Sequence, residues 1–286
     1  MPNYTRDYLT ERHDDYESKF QDWNFHLLSY LGGQDYQNGY LLNRYVLESD
    51  EEYIKRMNNT AIDNHCKNVV QIYSSFLFRV PPTRNYGSLS GDEQLENFLK
   101  DADLDGRSFD NIIREMQINA SIYGTCWAIM DKPAVQTETR AEEIQLDIRP
   151  YISVYTPENV LNWKYQRMIN GRYELTELTL LENLQNDVAT LRVWTKEDIT
   201  TLMVKEFNKG YSTSQPILID EMPNMINEIP AIVLYNQKSQ KRAIGISDLQ
   251  DVAELQKSIY NDYSEIEQLI RLSNHPSLVK TPNVEA

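Results

Sequence analysis

The segment at residues 245–274, GISDLQDVAELQKSIYNDYSEIEQLIRLSN, decides the fold at the C-terminal end of the chain. Ser247 and Gln250 have the spacing of a capping box, which predicts a helix from Ser247 to about Asn274. His275-Pro276 disfavours helical backbone, so the helix should end there. At about 1.5 Å per residue, such a helix is about 39 Å long.

This helix carries a heptad-like apolar repeat that Gln256 interrupts. Nothing in residues 275–286 could pair with it, so we expect it to pack on another subunit or on sequence outside the chain. The residues predicted to make this subunit interface are Leu249, Val252, Ile259, Ile266 and Ile270.

The sequence before residue 125 has mainly helical patterns. Helices are predicted at 20–31, at 49 to about 78, at 92–102 and at 108–123, with a tyrosine-rich turn at 33–40. The long second helix starts at the capping box of Ser49 and Glu52 and ends before Pro81-Pro82.

Residues 125–244 are rich in Thr, Val, Ile and Tyr, which favours strands. Strands are predicted at 125–131, 146–155, 173–181, 190–194, 201–207, 216–220 and 229–235, with a loop at 133–143 and a hairpin turn at Asn170-Gly171. Helices followed by strands predict an α+β fold. We divide the chain into a helical part (1–124), a β-rich part (125–244), the long helix (245–274) and an end segment (275–286).

The charge balance argues against a protein that grips DNA. The chain has 43 acidic and 28 basic residues and a net charge of −15, whereas phosphate binding needs a basic stripe. No apolar stretch is long enough to predict a membrane span. Cys66 and Cys126 lack metal-ligand spacing and are expected to be reduced and buried.

Motifs for catalysis or cofactor binding are absent from the sequence. It contains no glycine-rich phosphate loop. His65-Cys66 are neighbours on a predicted helix, so their side chains diverge. Asp101, Asp103 and Asp105 begin like a calcium loop, but Ile112 occupies the position of the required glutamate. We therefore expect no enzymatic activity, no metal and no cofactor.

Several strings resemble tailed-phage portal (connector) proteins in the same order along the chain. They are LGGQDY (31–36), YLLNRY (40–45), ES with YIKR (48–56), VVQIYSSFLFRVPP (69–82), YTPENVLNW (155–163), EIPAIVL (228–234), GISDLQDVAELQ (245–256) and HPSLV (275–279). The resemblance identifies residues 1–244 with the portal wing, 245–274 with the first stem helix and 275–286 with the start of the clip. Portal subunits generally continue through a second stem helix and a crown, so the chain is a fragment, the ordered part of a longer chain, or a divergent relative.

The resemblance implies a structural subunit of a ring, usually of twelve copies, at the unique capsid vertex of the virion, after assembly in the host cytoplasm. Such a ring passes double-stranded DNA during packaging and ejection, without sequence-specific binding. Its implied partners are capsid protein, terminase and a head–tail adaptor, and no membrane. Acids on the stem helix are candidates for the channel side: Asp248, Asp251, Glu254, Asp262 and Glu265.

Two other functions stay open on the sequence alone. One is another virion assembly or tail-adaptor protein, which would differ in symmetry or be monomeric. The other is a carboxylate- and metal-dependent hydrolase or nuclease, whose activity would depend on the cluster from Asp101 to Asp105. An acidic helix is also typical of the solvated face of an ordinary globular protein.

Overall fold

The computed structural model describes residues 12–133, 139–207 and 214–274. The chain divides into two compact units. The larger unit contains the described residues up to Asn24 together with Val70–Asp248, and the smaller unit contains Phe25–Val69 and the described residues from Leu249 onward. The predicted division at residues 124, 244 and 274 follows the type of element and stays a prediction.

Helices and antiparallel strands confirm the α+β class. The α-helices are α1 (Asp14–Glu17), α2 (Phe20–Leu31), α3 (Gly33–Asn38), α4 (Asp50–Asn59), α5 (His65–Leu77), α6 (Glu93–Lys100), α7 (Phe109–Tyr123), α8 (Arg140–Gln145) and α9 (Gln250–Asn274). The strands are β1 (Thr125–Asp131), β2 (Tyr151–Tyr155), β3 (Val160–Arg167), β4 (Tyr173–Gln185), β5 (Val188–Thr195), β6 (Asp198–Val204), β7 (Ile217–Pro223), β8 (Ala231–Tyr235), β9 (Gln237–Lys238) and β10 (Gly245–Ile246).

The larger unit contains two main sheets. Helix α7 buries its apolar face against the three-stranded sheet β2-β1-β8, where Ile112 and Met116 pack with Cys126 and Ile152. The second sheet has the strand order β3-β4-β5-β6-β7 and its own apolar core. The predicted turn at Asn170-Gly171 is confirmed, because it joins β3 to β4 and Gly171 has a positive φ of 78°.

The predicted helix at 49–78 is wrong, because the chain breaks between α4 and α5. The Thr60 hydroxyl donates to the Arg56 carbonyl oxygen at 2.8 Å, and Thr60 leaves helical backbone with a ψ of 122°. The Asn64 side chain then accepts from the Lys67 amide at 2.8 Å, as a residue that begins a helix does. Side-chain hydrogen bonds to the backbone therefore divide the predicted helix into two.

Other boundaries also differ. The tyrosine-rich turn at 33–40 is the short helix α3, and α8 begins within the predicted loop at 133–143, of which residues 134–138 lie outside the described residues. Strand β3 was not predicted. Residues 146–150 are not a strand; there Arg149 is buried and pairs with Asp101 and Asp147. The segment 275–286, predicted to begin the clip, also lies outside the described residues.

Candidate functional site

The long C-terminal helix begins later than the sequence predicts. Its first helical residue is Gln250, and the Leu249 carbonyl oxygen accepts from the Ala253 amide at 2.9 Å. The predicted capping box is wrong, because Ser247 precedes the helix. The Ser247 hydroxyl oxygen lies 2.8 Å from the Ser121 carbonyl oxygen and 2.7 Å from that of Ile122, at the end of α7.

Helix α9 has a buried face within the smaller unit. The buried residues of the helix, together with Leu249 just before it, recur at steps of four, three, four and four: Leu249, Ala253, Gln256, Tyr260 and Ser264. Tyr260 packs in one cluster with Tyr36, Leu42, Tyr53 and Met57, and its ring meets the Tyr36 ring edge-on at 5.3 Å. The prediction that this helix has no partner within the chain is therefore wrong.

Gln256, on this buried face, forms two hydrogen bonds with its side chain. Its Oε1 accepts from the Cys66 amide at 3.0 Å, and its Nε2 donates to the Ser29 carbonyl oxygen at 2.9 Å. The same environment buries the Cys66 thiol and raises its pKa to about 12. The polar residue that interrupts the heptad thus joins helix α9 to α2 and α5 through backbone groups.

Replacing Gln256 with leucine is expected to destabilise the smaller unit by about 2 kcal/mol, because it leaves a buried amide and a buried carbonyl without these partners. Gln268→Leu on the same helix, where the side chain is only half-buried, is the matched control and should change stability by less than about 0.5 kcal/mol. Hydrogen exchange of the α5 and α9 amides measures both. Equal protection in the two variants would contradict the role of Gln256.

Arg56 forms a second contact to helix α9. Its Nε and Nη2 donate to the two carboxylate oxygens of Glu48, each at 2.7 Å, and Nη1 donates to the Ser264 hydroxyl at 2.9 Å. Nη2 also donates to the Asn43 carbonyl oxygen at 2.6 Å, and the guanidinium lies over the Tyr45 ring at 4.2 Å. The hydrogen bonds from Arg56 lower the pKa of Glu48 below its ordinary value. No sequence pattern predicts this pair, although both residues lie within the portal-like string at 48–56.

The residues predicted to form the interface do not share one contact. Leu249 is fully buried, Val252 and Ile259 are half-buried, and Ile266 and Ile270 are exposed. The predicted residues therefore lie partly on the buried face of α9 and partly on a second apolar stripe that faces solvent. Their assignment to a subunit interface stays a prediction.

The predicted channel-side acids are mostly in solvent. Asp251, Glu254, Asp262 and Glu265 are exposed, and none takes part in an ion pair within the described part of the chain. Asp248 is half-buried and accepts from the Asn236 side-chain amide at 2.8 Å. Four of the five acids thus leave their charge on the open side of the helix.

The acidic cluster after α6 is occupied by the protein's own donors. The Asp101 side chain accepts from Arg149 and from the Gly106 amide, and the Asp103 side chain accepts from Arg107. Across residues 12–133, 139–207 and 214–274, no group of three potential ligands is placed to hold a metal ion. The arrangement is that of a braced turn between two helices.

Of the helices in the described ranges, none combines the length and apolarity needed to cross a bilayer.

The family model described as phage portal protein, SPP1 Gp6-like, matches residues 6–284. The chain belongs to this phage portal family. No curated protein matches the chain significantly. Membership gives the portal chain a structural role at the capsid vertex of a phage, with general partners in the capsid and in DNA packaging.

Proposed function

We propose that this chain forms the wing and first stem helix of a portal subunit, and that twelve copies make the ring at the unique capsid vertex. The ring is the channel for DNA packaging and ejection, assembled in the host cytoplasm. It docks terminase during packaging and a head–tail adaptor afterwards, and capsid protein surrounds it. The family match over residues 6–284 carries the proposal.

The acidic face of helix α9 supports passage of DNA without tight binding. Asp251, Glu254, Asp262 and Glu265 place four exposed carboxylates along one helix, whereas tight non-specific binding of DNA relies on cationic side chains that neutralise its phosphates. If Glu254 and Glu265 face the channel, with Asp251 and Asp262 at its edge, the wall repels the phosphate backbone and contributes no strong binding step. DNA then slides through the ring without a sequence-dependent stop.

Negative-stain electron microscopy of the purified full-length protein tests the ring. We expect rings with a central hole and twelvefold symmetry. A different symmetry, or a monomer, would favour another virion assembly or tail-adaptor role.

Titration of the same rings with labelled double-stranded DNA tests the repulsive wall. We expect a Kd weaker than about 10⁻⁴ M at physiological salt, the weak end of non-specific binding. Tight binding that weakens steeply between about 50 and 200 mM salt would show phosphate contacts and contradict the acidic channel.

A further inference from the structure

The C-terminal part of helix α5 and the residues just after it expose an apolar surface, here called the α5 patch. Its members recur at steps of one and three and are between 54% and 72% exposed: Ile72, Tyr73, Phe76, Leu77 and Val80. Exposed clusters of large apolar side chains of this kind mark sites of association. The opposite side of the helix is already packed, since Val70 and Ser74 are buried.

The segment that carries the α5 patch contains basic residues and no acidic ones. Between Asp63 and Asp92 the sequence has no acidic residue, although the chain carries a net charge of −15. Arg79 is exposed beside the patch, and Arg84 pairs with Asp110. Arg79 therefore gives this apolar surface a positive charge at its border.

Helix α9 exposes a second apolar surface, here called the outer stripe. It lies about 120° around the helix axis from the buried face. Its residues, of which all but the half-buried Ile259 are 49% to 65% exposed, are Leu255, Ile259, Ile266, Leu269 and Ile270. The exposed carboxylates of Asp251 and Asp262 flank it, so this surface is apolar with an acidic border.

We propose that the α5 patch of one copy packs against the outer stripe of a neighbouring copy. The inference rests on the proposed ring, because a ring requires a head-to-tail contact between two different surfaces. Patch against patch would bring Arg79 of both copies together, and stripe against stripe would bring their carboxylates together. Only the contact of patch with stripe buries both apolar surfaces and also joins opposite charges.

Cross-linking tests the contact in rings of the full chain. Phe76→Cys and Ile266→Cys are combined and treated with a short bis-maleimide. Cys66 and Cys126 are buried, and burial raises the pKa of each thiol to about 12, so labelling is confined to the new cysteines. We expect a ladder of covalent species of three or more subunits, which each single cysteine variant should not give. Efficient dimers from one single variant, or rings whose double variant gives no ladder, would overturn the contact.

A matched pair of substitutions measures how much the contact between the α5 patch and the outer stripe contributes to assembly. Leu77→Asp places a charge in the α5 patch and is expected to raise the concentration for half assembly at least about 10-fold. Leu184→Asp, at a similarly exposed position on β4, should change it by less than about 2-fold. Rings that assemble equally well with Leu77→Asp would overturn the inference. Failure of the unmodified chain to form rings would instead contradict the proposed function.

Discussion

Replacing Gly124 with alanine is expected to destabilise the larger unit by about 3–4 kcal/mol, the sum of left-handed backbone strain and a steric clash. Gly124 ends α7 with a φ of 85°. A Cβ there would lie 2.5 Å from the carbonyl oxygen of Gly245 and 2.6 Å from its carbonyl carbon. Both neighbours are backbone atoms, so no flexible side chain can move aside.

The close approach of Gly124 to Gly245 joins the end of α7 to the segment that precedes helix α9. The Asn236 amide donates to the Gly124 carbonyl oxygen at 3.0 Å, and the Asp248 amide donates to the Ser121 carbonyl oxygen at 3.0 Å. A side chain at position 124 would push these two backbone segments apart and lengthen both hydrogen bonds. The loss therefore exceeds that of a strained turn on the surface.

Gly91→Ala separates the two causes. Gly91 has a φ of 83°, nearly equal to that of Gly124, but a Cβ there would meet no atom of the described residues within 4 Å. It should cost only the backbone strain of about 1 kcal/mol. Denaturant unfolding followed by tryptophan fluorescence measures both, because all four tryptophans lie in the larger unit. Equal losses in the two variants would contradict the clash with Gly245.

The sequence predicts those elements whose ends are set by local chemistry. Gly124 after an apolar periodic segment predicts the end of α7, and Asn170-Gly171 predicts the β3–β4 turn. Ser49 and Glu52 form the predicted capping box, with both hydrogen bonds present. In each case the residue satisfies backbone groups within a few positions, so the short-range pattern is sufficient.

The predictions from the sequence are wrong where contacts between residues distant in the chain determine the structure. Helix α9 has an apolar repeat that suggests one face, but Gln256 is buried because Ser29 and Cys66 supply its partners from elsewhere in the chain. Ser247 has the residue type of a helix cap and instead bonds the carbonyl oxygens that end α7. Local spacing gives the length of helix α9 and not which of its faces is buried.

Arg56→Ala is expected to destabilise the smaller unit by about 3–5 kcal/mol, because it leaves a buried carboxylate without its counter-charge. The side chains of Arg56 and Glu48 are only 6% and 5% exposed, and their pairing is bidentate. The substitution also removes the donor to Ser264 on helix α9. Hydrogen exchange of the α4 and α9 amides measures the loss.

Arg44→Ala is the control in the same unit. Arg44 pairs with Asp50, but its side chain is half exposed, and an exposed ion pair contributes less than about 1 kcal/mol. Similar losses in the two variants would mean that burial of the Arg56–Glu48 pair adds nothing to its effect.

The pH dependence of the stability loss in Arg56→Ala distinguishes loss of the ion pair from simple loss of packing. In the unaltered protein the pKa of Glu48 is lowered by its hydrogen bonds to Arg56, so the pair contributes stability above the ordinary glutamate pKa of 4.5 and loses it as the pH falls through the lowered pKa. In Arg56→Ala the buried carboxylate loses its hydrogen-bonded cation and its pKa rises, so protonation relieves the penalty as the pH falls. The difference in unfolding free energy between the two proteins should therefore be largest at neutral pH and should shrink on acidification toward and below pH 4.5. A difference that stays constant over that range would assign the loss to packing and contradict the ion pair as its cause.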